Sequence, residues 1–291
     1  MINKSNTQEQ WYEETLHENV RVKYRIDSIQ FQDKTDFQDM ILFENKTFGK
    51  MLALDGVIQT TQKDEPCYHE MLTHTPILAH GNVASVLIIG GGDGGIAREV
   101  LKHKTINVTM VELDSYVTDF SKVHLPTLSN GALENNRLNL IFQDGCKFVK
   151  ESMEKYDIII VDSTDPIGPG EVLFTEEFYQ DCKSCLTDGG ILVSQQGVPM
   201  LQADELINTT RRQRNHFTDV SFYKTAVTTY FGGFMTLGWA TDNISLRQNT
   251  VETISSRFIE ADLKDLQYYT PSEHVASFSL PQFILNTLKD A

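Results

Sequence analysis

The sequence predicts a doubly wound α/β fold behind a small antiparallel β domain, and three observations carry that expectation. From residue 83 onward, short apolar strands alternate with helical stretches, the pattern of a mostly parallel sheet covered by helices. A glycine cluster, Gly90-Gly-Gly-Asp-Gly-Gly95, lies between the first of those strands and the first of those helices, where such folds receive nucleotides. Earlier segments are short, alternating and broken by turn signals, and so read as antiparallel.

Taken in order, Val20–Ile26 and Asp39–Phe43 are the clearest early strands, punctuated by Asp33-Lys34, Asn45-Lys46 and Leu54-Asp-Gly56. Around Glu65 the period changes, and Tyr68–Leu78 carries apolar residues at helical spacing until Pro76 interrupts it. The domain join is therefore placed there, giving an N-terminal β-strand domain over 1–76 and a Rossmann-like domain over 77–291. Within the latter, a strand at Val83–Ile89 leads through the glycine loop into a helix at Ile96–His103 and a strand at Asn107–Val111. Further strands are expected at Asn139–Phe142, Tyr156–Val161 and Gly190–Ser194, and a β-rich end at Val220–Tyr223 and Phe234–Ala240.

Composition removes whole classes of function. Lys plus Arg number 25 against 40 Asp plus Glu, a net charge of −15, and such a surface repels phosphate backbones, which argues against nucleic acid as a partner. Apolar runs such as Ile158–Val161 fall far short of the roughly 20 residues of a membrane span. The opening MINKSNTQEQW lacks a basic-then-apolar secretory pattern, and four cysteines, Cys67, Cys146, Cys182 and Cys185, suit a reducing cytoplasm.

The glycine loop Gly90, Gly91, Gly92, Gly94 and Gly95 satisfies G-x-G-x-x-G, and Glu112 closes the next strand 17 residues after Gly95. An acidic residue there can accept both hydroxyls of a ribose, a demand common to NAD and to S-adenosyl sulfonium compounds. Asp93 separates the two. A pyrophosphate on this loop would meet its carboxylate, and like charges about 4 Å apart cost about 4 kcal/mol at an effective dielectric near 20. The same reasoning disfavours an intact S-adenosylmethionine whose carboxylate lies over the loop, whereas a bare ammonium is attracted. The strand Tyr156–Val161 then runs into Asp162-Ser-Thr-Asp-Pro-Ile-Gly-Pro-Gly170, placing Asp162 and Asp165 where open α/β sheets hold ligands. Taken alone, Asp162 could cap a helix and Asp165-Pro166 could merely turn the chain; beside Asp93 they point to a cationic guest.

These residues resemble the spermidine synthases. The likeness rests on Leu54-Asp-Gly-Val-Ile-Gln59, Asp64-Glu-x-x-Tyr-His-Glu-Met71, the glycine loop and Asp162-Ser-Thr-Asp-Pro-Ile-Gly-Pro169. It extends from Trp11-Tyr-Glu-Glu-Thr-Leu16 through Thr35–Asp39 and Trp239-Ala-Thr-Asp242 to Leu280-Pro-Gln282, nearly the whole chain, and is nearest the bacterial polyamine aminopropyltransferases. It implies a Rossmann-like sheet of the S-adenosylmethionine-methyltransferase type. It also implies transfer of an aminopropyl group from decarboxylated S-adenosylmethionine to putrescine, giving spermidine and 5′-methylthioadenosine, with no metal, in a homodimer or homotetramer.

By motif match the resemblance makes Asp162 the proton acceptor and Asp165 a holder of the diamine, with Tyr68 and Tyr230 orienting the attacking nitrogen. Asp93 would bind the donor's ammonium, His69 the polyamine, Gln38 the thioadenosine and Glu112 the ribose. Asp144 and Gly145 match an adenine contact, while Ser163 and Thr164 share the Asp162 motif and join the substrate-binding set. Pro169 belongs to a covering segment over 167–174, for which plain loop punctuation is the reading without the flanking motif.

Two departures stand out: Pro66 occupies a position often aromatic in the family, and Thr228-Thr-Tyr230 replaces a Pro-Thr-Tyr triplet. Losing that proline frees a backbone donor and loosens the loop presenting Tyr230. In His69-Glu-Met-Leu-Thr-His74 the second histidine comes one residue late for a zinc-binding helix, and Cys182-Lys-Ser-Cys185 lacks a second pair. Trp11 and Trp239 are accounted for equally well by aromatic packing. The rival readings are an amine N-methyltransferase on the same scaffold, which Asp93 opposes, and a polyamine or nucleoside sensor without turnover.

Overall fold

A computed structural model describes residues 9–35, 38–164, 168–289 and 291, without the side chains of residues 168 and 169. The chain divides into two units between Asp64 and Glu65.

In the first unit, β1 (Gln10–Glu14) and β2 (Val22–Ile26) form an antiparallel pair. Strands β3 (Ser28–Lys34), β4 (Asp39–Asn45), β5 (Gly49–Leu54) and β6 (Val57–Thr61) form a four-stranded antiparallel sheet in that order. The Asp-Gly signal behaves as its chemistry requires. Asp55 and Gly56, at φ 46° and 89°, make the two-residue turn between Leu54 and Val57, which pair across it. Tyr24, Phe43, Met51, Ala53 and Ile58 form a small core.

In the second unit, α1 (Glu65–His80) leads to β7 (Ser85–Gly90), α2 (Gly95–Lys102), β8 (Asn107–Glu112), α3 (Ser115–His124), α4 (Pro126–Ser129) and β9 (Leu138–Phe142). Then come α5 (Gly145–Glu151), β10 (Tyr156–Asp162), α6 (Glu176–Ser184), β11 (Leu186–Gln196), α7 (Ala203–Gln213), β12 (Asp219–Thr225) and β13 (Met235–Thr241). Helices α8 (Val251–Glu260), α9 (Pro271–Ser277) and α10 (Gln282–Lys289) close the chain. The sheet order is β12-β13-β11-β10-β7-β8-β9. Strands β7 to β11 pair in parallel, and β13 runs antiparallel to both β11 and β12. Chain order reverses between β7 and β10, which opens a crevice beyond their carboxyl ends.

The apolar runs that predicted these strands divide between two cores. Ile158 and Ile160 face one with Val86 and Ile88, while Ile159 and Val161 face the other with Leu87 and Ile89. This is the period-two split of a sheet buried on both faces.

The break expected at Pro76 does not occur, and the unit boundary falls before α1 rather than within it. Helix α1 runs through Pro76, although an interior proline costs about 3 kcal/mol. Met71, Leu72, Ile77 and Leu78 are buried beside Pro76, and that packing outweighs one lost hydrogen bond. The Glu70 carboxylate further ties the helix down, accepting the N–H groups of Gln267, Tyr268 and Tyr269 at 2.7, 2.8 and 2.7 Å. Among the described residues, no helix is long and apolar enough to cross a membrane.

Candidate active site

The glycine loop leaves β7 at the crevice, and its geometry is dictated by β10. Gly90 pairs in register with Asp162, and Gly91 N–H donates to the Asp162 carbonyl at 3.0 Å. At Gly90, φ is +84° and a Cβ would lie 2.0 Å from that carbonyl oxygen, so only glycine fits. The loop therefore sets Asp162 and Asp93 side by side at the mouth of α2, where Asp93 Oδ1 accepts the Gly95 N–H at 2.8 Å.

Helix α1 supplies the remaining wall. Tyr68 donates its hydroxyl to Asp162 Oδ1 at 2.7 Å, and its ring meets that of Tyr230 edge-on with centroids 6.3 Å apart. The next residue, His69, turns Nε2 to Asp93 Oδ2 at 3.5 Å and Nδ1 to Glu65 Oε2 at 2.5 Å. Donor atoms of His69, Asp93 and Asp162 all lie within 4.8 Å of one another. A Cβ on Gly95 would reach 2.3 Å from His69 Cε1, so the loop's last glycine makes room for the imidazole.

The electrostatics follow from crowding these groups out of water. Burial, then the neighbouring Asp93 charge, lifts the Asp162 carboxyl to about 6, with His69 and the Tyr68 hydroxyl pulling the other way. Burial also works against a charge on His69, but Asp93 and Glu65 outweigh it and raise the imidazole to about 10. Asp93 is itself desolvated yet held below the usual carboxylate range, chiefly by that imidazolium. Burial and the nearby Asp162 push the Tyr68 phenol upward, so it stays a donor. The donor set of one imidazole and two carboxylates has the chemistry to hold a divalent metal or an organic cation; a metal would first have to displace the imidazole's proton.

Glu112 ends β8, is 9% exposed and accepts the Asp114 N–H at 2.9 Å through Oε1. Its other oxygen reaches the glycine loop, 2.9 Å from where a Gly92 Cβ would stand. Burial raises its carboxyl to about 7. Asp144 caps α5 through Oδ1, which accepts the N–H groups of Cys146 and Lys147 at 2.8 and 3.3 Å. Gly145 lets that helix start against β7, since a Cβ would come within 2.5 Å of Ile89 Cγ2. Ser163 and Thr164 follow β10, and Ser163 Oγ is buried with no hydrogen-bond partner among the described residues.

Other expected site residues are placed differently. Gln38 belongs to the first unit, where its N–H donates to Thr35 Oγ1 at 3.1 Å. Asp165 and the Pro169 side chain lie outside the described residues, as does Ile167; the rest of the expected covering segment, Gly168–Phe174, is a short 3-10 helix. Pro66 takes the second position of α1, where a missing N–H costs nothing, and Thr228 is exposed. His74 points away from the crevice, to Glu99 Oε2 at 2.9 Å and to His103 Nε2 at 3.0 Å. Cys182 and Cys185 are buried free thiols at the end of α6.

Sequence reading missed Glu65 and Arg98. The Arg98 guanidinium grips both oxygens of Glu65 at 3.0 and 2.8 Å, and also bonds Glu99 Oε1 at 2.7 Å and the Leu128 carbonyl at 2.6 Å. The one signal available was the helical i,i+4 spacing of Glu65 and His69.

Comparison with known proteins places relatives on this geometry. Residues 65–251 match the spermine/spermidine synthase domain and residues 10–62 the spermidine synthase tetramerisation domain. The polyamine aminopropyltransferase of Erwinia tasmaniensis is 51% identical over 98% of this chain and 99% of its own length. That of Pectobacterium carotovorum is 50% identical over 97% and 98%. A crystal structure of spermidine synthase in complex with the transition state analogue AdoDATO superposes with a TM-score of 0.91 at 34% identity, covering 100% of this chain and 99% of that one. The spermidine synthase from Thermotoga maritima gives 0.88 at 32%, covering 99% and 97%.

Proposed function

The chain belongs to the spermine/spermidine synthase family, and from that premise we infer that it transfers the aminopropyl group of decarboxylated S-adenosylmethionine to putrescine, forming spermidine and 5′-methylthioadenosine. The observation that carries this reading is the pairing of Asp93 with Asp162 across the crevice, beside the Tyr68 hydroxyl: two desolvated carboxylates suit two organic cations.

Asp93 holds the donor's terminal ammonium and Glu112 its ribose hydroxyls, with Asp144 and Gly145 completing the nucleoside site. Asp162 and Asp165 hold the diamine, and Tyr68, Tyr230, His69, Ser163 and Thr164 orient it, under a cover that includes Pro169. A nitrogen lone pair forms a bond to the methylene carbon beside the sulfonium. The carbon–sulfur bond breaks with its electron pair going to sulfur, and the proton shed by nitrogen passes to Asp162. The leaving group is a neutral thioether, so the displacement asks for no Lewis acid, and no metal is assigned to it.

Magnitudes explain why burial is needed. An ordinary alkylammonium near 10.4 would give its proton to an acid of about 6 only at a cost of roughly 6 kcal/mol. Desolvation lowers the amine as it raises Asp162, bringing the two together. The four free thiols suit the cytoplasm, and the segment matching a tetramerisation domain suits a homodimer or homotetramer, with Trp11 and Ile29 exposed there at 52% and 46%.

Incubation with decarboxylated S-adenosylmethionine and putrescine, with a chelator present, is expected to release spermidine and 5′-methylthioadenosine together. Methylated putrescine made only from the intact donor would instead support a methyltransferase.

A further inference from the structure

A buried network runs from Arg98 through Glu65 to His69. Glu65 is 9% exposed, His69 is 3% exposed, and Arg98 binds both Glu65 oxygens. His69 is thereby held between two carboxylates from different elements, Glu65 one turn earlier on α1 and Asp93 on the glycine loop. The Glu65 contact fixes Nδ1 as a donor and leaves Nε2 to face Asp93; a ring turned the other way would lose that bond. Asp162 from β10 lies within 4.8 Å of this imidazole, so a cation there favours the carboxylate form of Asp162 against both burial and the repulsion of Asp93.

We propose that Glu65, held by Arg98, is a positioning residue for the proton acceptor: it orients His69 as a cation, and that cation keeps Asp162 ionised and ready to receive the proton of the attacking amine. The proposal rests on the aminopropyl-transfer reading. It differs from a purely structural role because the effect passes through charge. Among the described residues, the groups facing His69 are Glu65 and Tyr68 from α1, Asp93 from the loop and Asp162 from β10, with Arg98 of α2 behind Glu65.

Glu65→Gln keeps an acceptor for Nδ1–H and removes the charge. In this variant the acid limb of the kcat/KM pH profile is expected to move upward by about one unit, so that kcat/KM falls about twofold at pH 7 and approaches a tenfold loss below pH 6. Affinity for 5′-methylthioadenosine stays near that of the wild type. In a His69→Gln background the same change adds little further loss, because the effect runs through the imidazole. An acid limb left in place, or two losses that multiply, would overturn the proposal.

Two measurements keep the test independent of variant folding and of the parent reading. In the wild type, the His69 carbon resonance, assigned by its disappearance in His69→Gln, is expected to report a charged ring at pH 8, and a neutral ring there overturns the proposal. Failure of the wild type to make spermidine overturns the parent reading instead.

Discussion

At Asp162, one physical cause suits the proposed proton transfer and opposes stability. A carboxyl raised to about 6 by burial and by Asp93 is closer to the amine that the proposed mechanism has it deprotonate, yet in the free protein it accepts protons only when ionised. kcat/KM is therefore expected to rise as pH increases through about 6. The stability sign is opposite: an acid whose folded value exceeds its unfolded one stabilises the fold while protonated, fully below about pH 4, and loses that contribution as pH rises through 6. Two units correspond to about 3 kcal/mol at most. Asp162→Asn keeps the shape and an acceptor for Tyr68 and never ionises. We expect its turnover to drop by about a hundredfold or more, while at pH 8 it unfolds about 1–3 kcal/mol later than the wild type. Parallel denaturant titrations and steady-state assays measure both, and a variant as active as the wild type removes Asp162 from its role.

At the scale of elements, the two ends of the glycine loop constrain the chain for different reasons. Gly90 faces backbone: a Cβ 2.0 Å from the Asp162 carbonyl, at positive φ, cannot be relieved without parting β7 from β10. Gly95 faces only the His69 ring, and as the first residue of α2 it would gain helix propensity from alanine. Gly95→Ala is accordingly expected to cost roughly 1–3 kcal/mol of stability, as a buried ring is pushed aside, with kcat/KM lowered at least about tenfold by displacement of the imidazole, whereas Gly90→Ala loses more than this, roughly 3 kcal/mol or above. Circular dichroism melts with donor and diamine kinetics distinguish the two; equal stability losses would refute the distinction. The loop and the Asp162 strand were legible because glycine spacing and an apolar run ending in acid leave few other folds. The continuity of helix α1 through Pro76 was not, because a local rule about proline was overruled by packing between segments distant in sequence. Glu65 and Arg98 escaped notice for a similar reason, since 33 residues separate partners that only the fold brings together. Asp144 was legible as a residue but not as the cap of α5.

For the molecule as a whole, a net charge of −15 creates a field that attracts a diamine dication such as the proposed acceptor and is indifferent to a neutral nucleoside. Assembly into an oligomer would strengthen that field, since every added copy carries the same sign. The Debye length contracts from about 30 Å at 0.01 M salt to about 10 Å at 0.1 M, so the outer part of the field is lost across that range while the carboxylates within the crevice, at contact distance from a bound amine, are little screened. Capture should therefore weaken more than turnover. We expect kcat/KM for putrescine to fall several-fold over this range with kcat nearly constant, and the affinity for 5′-methylthioadenosine to stay flat. A decline shared equally by the neutral nucleoside would mean that salt acts on the fold or the assembly, and a flat kcat/KM would assign diamine recognition to Asp93, Asp162 and their neighbours alone, without help from the surface.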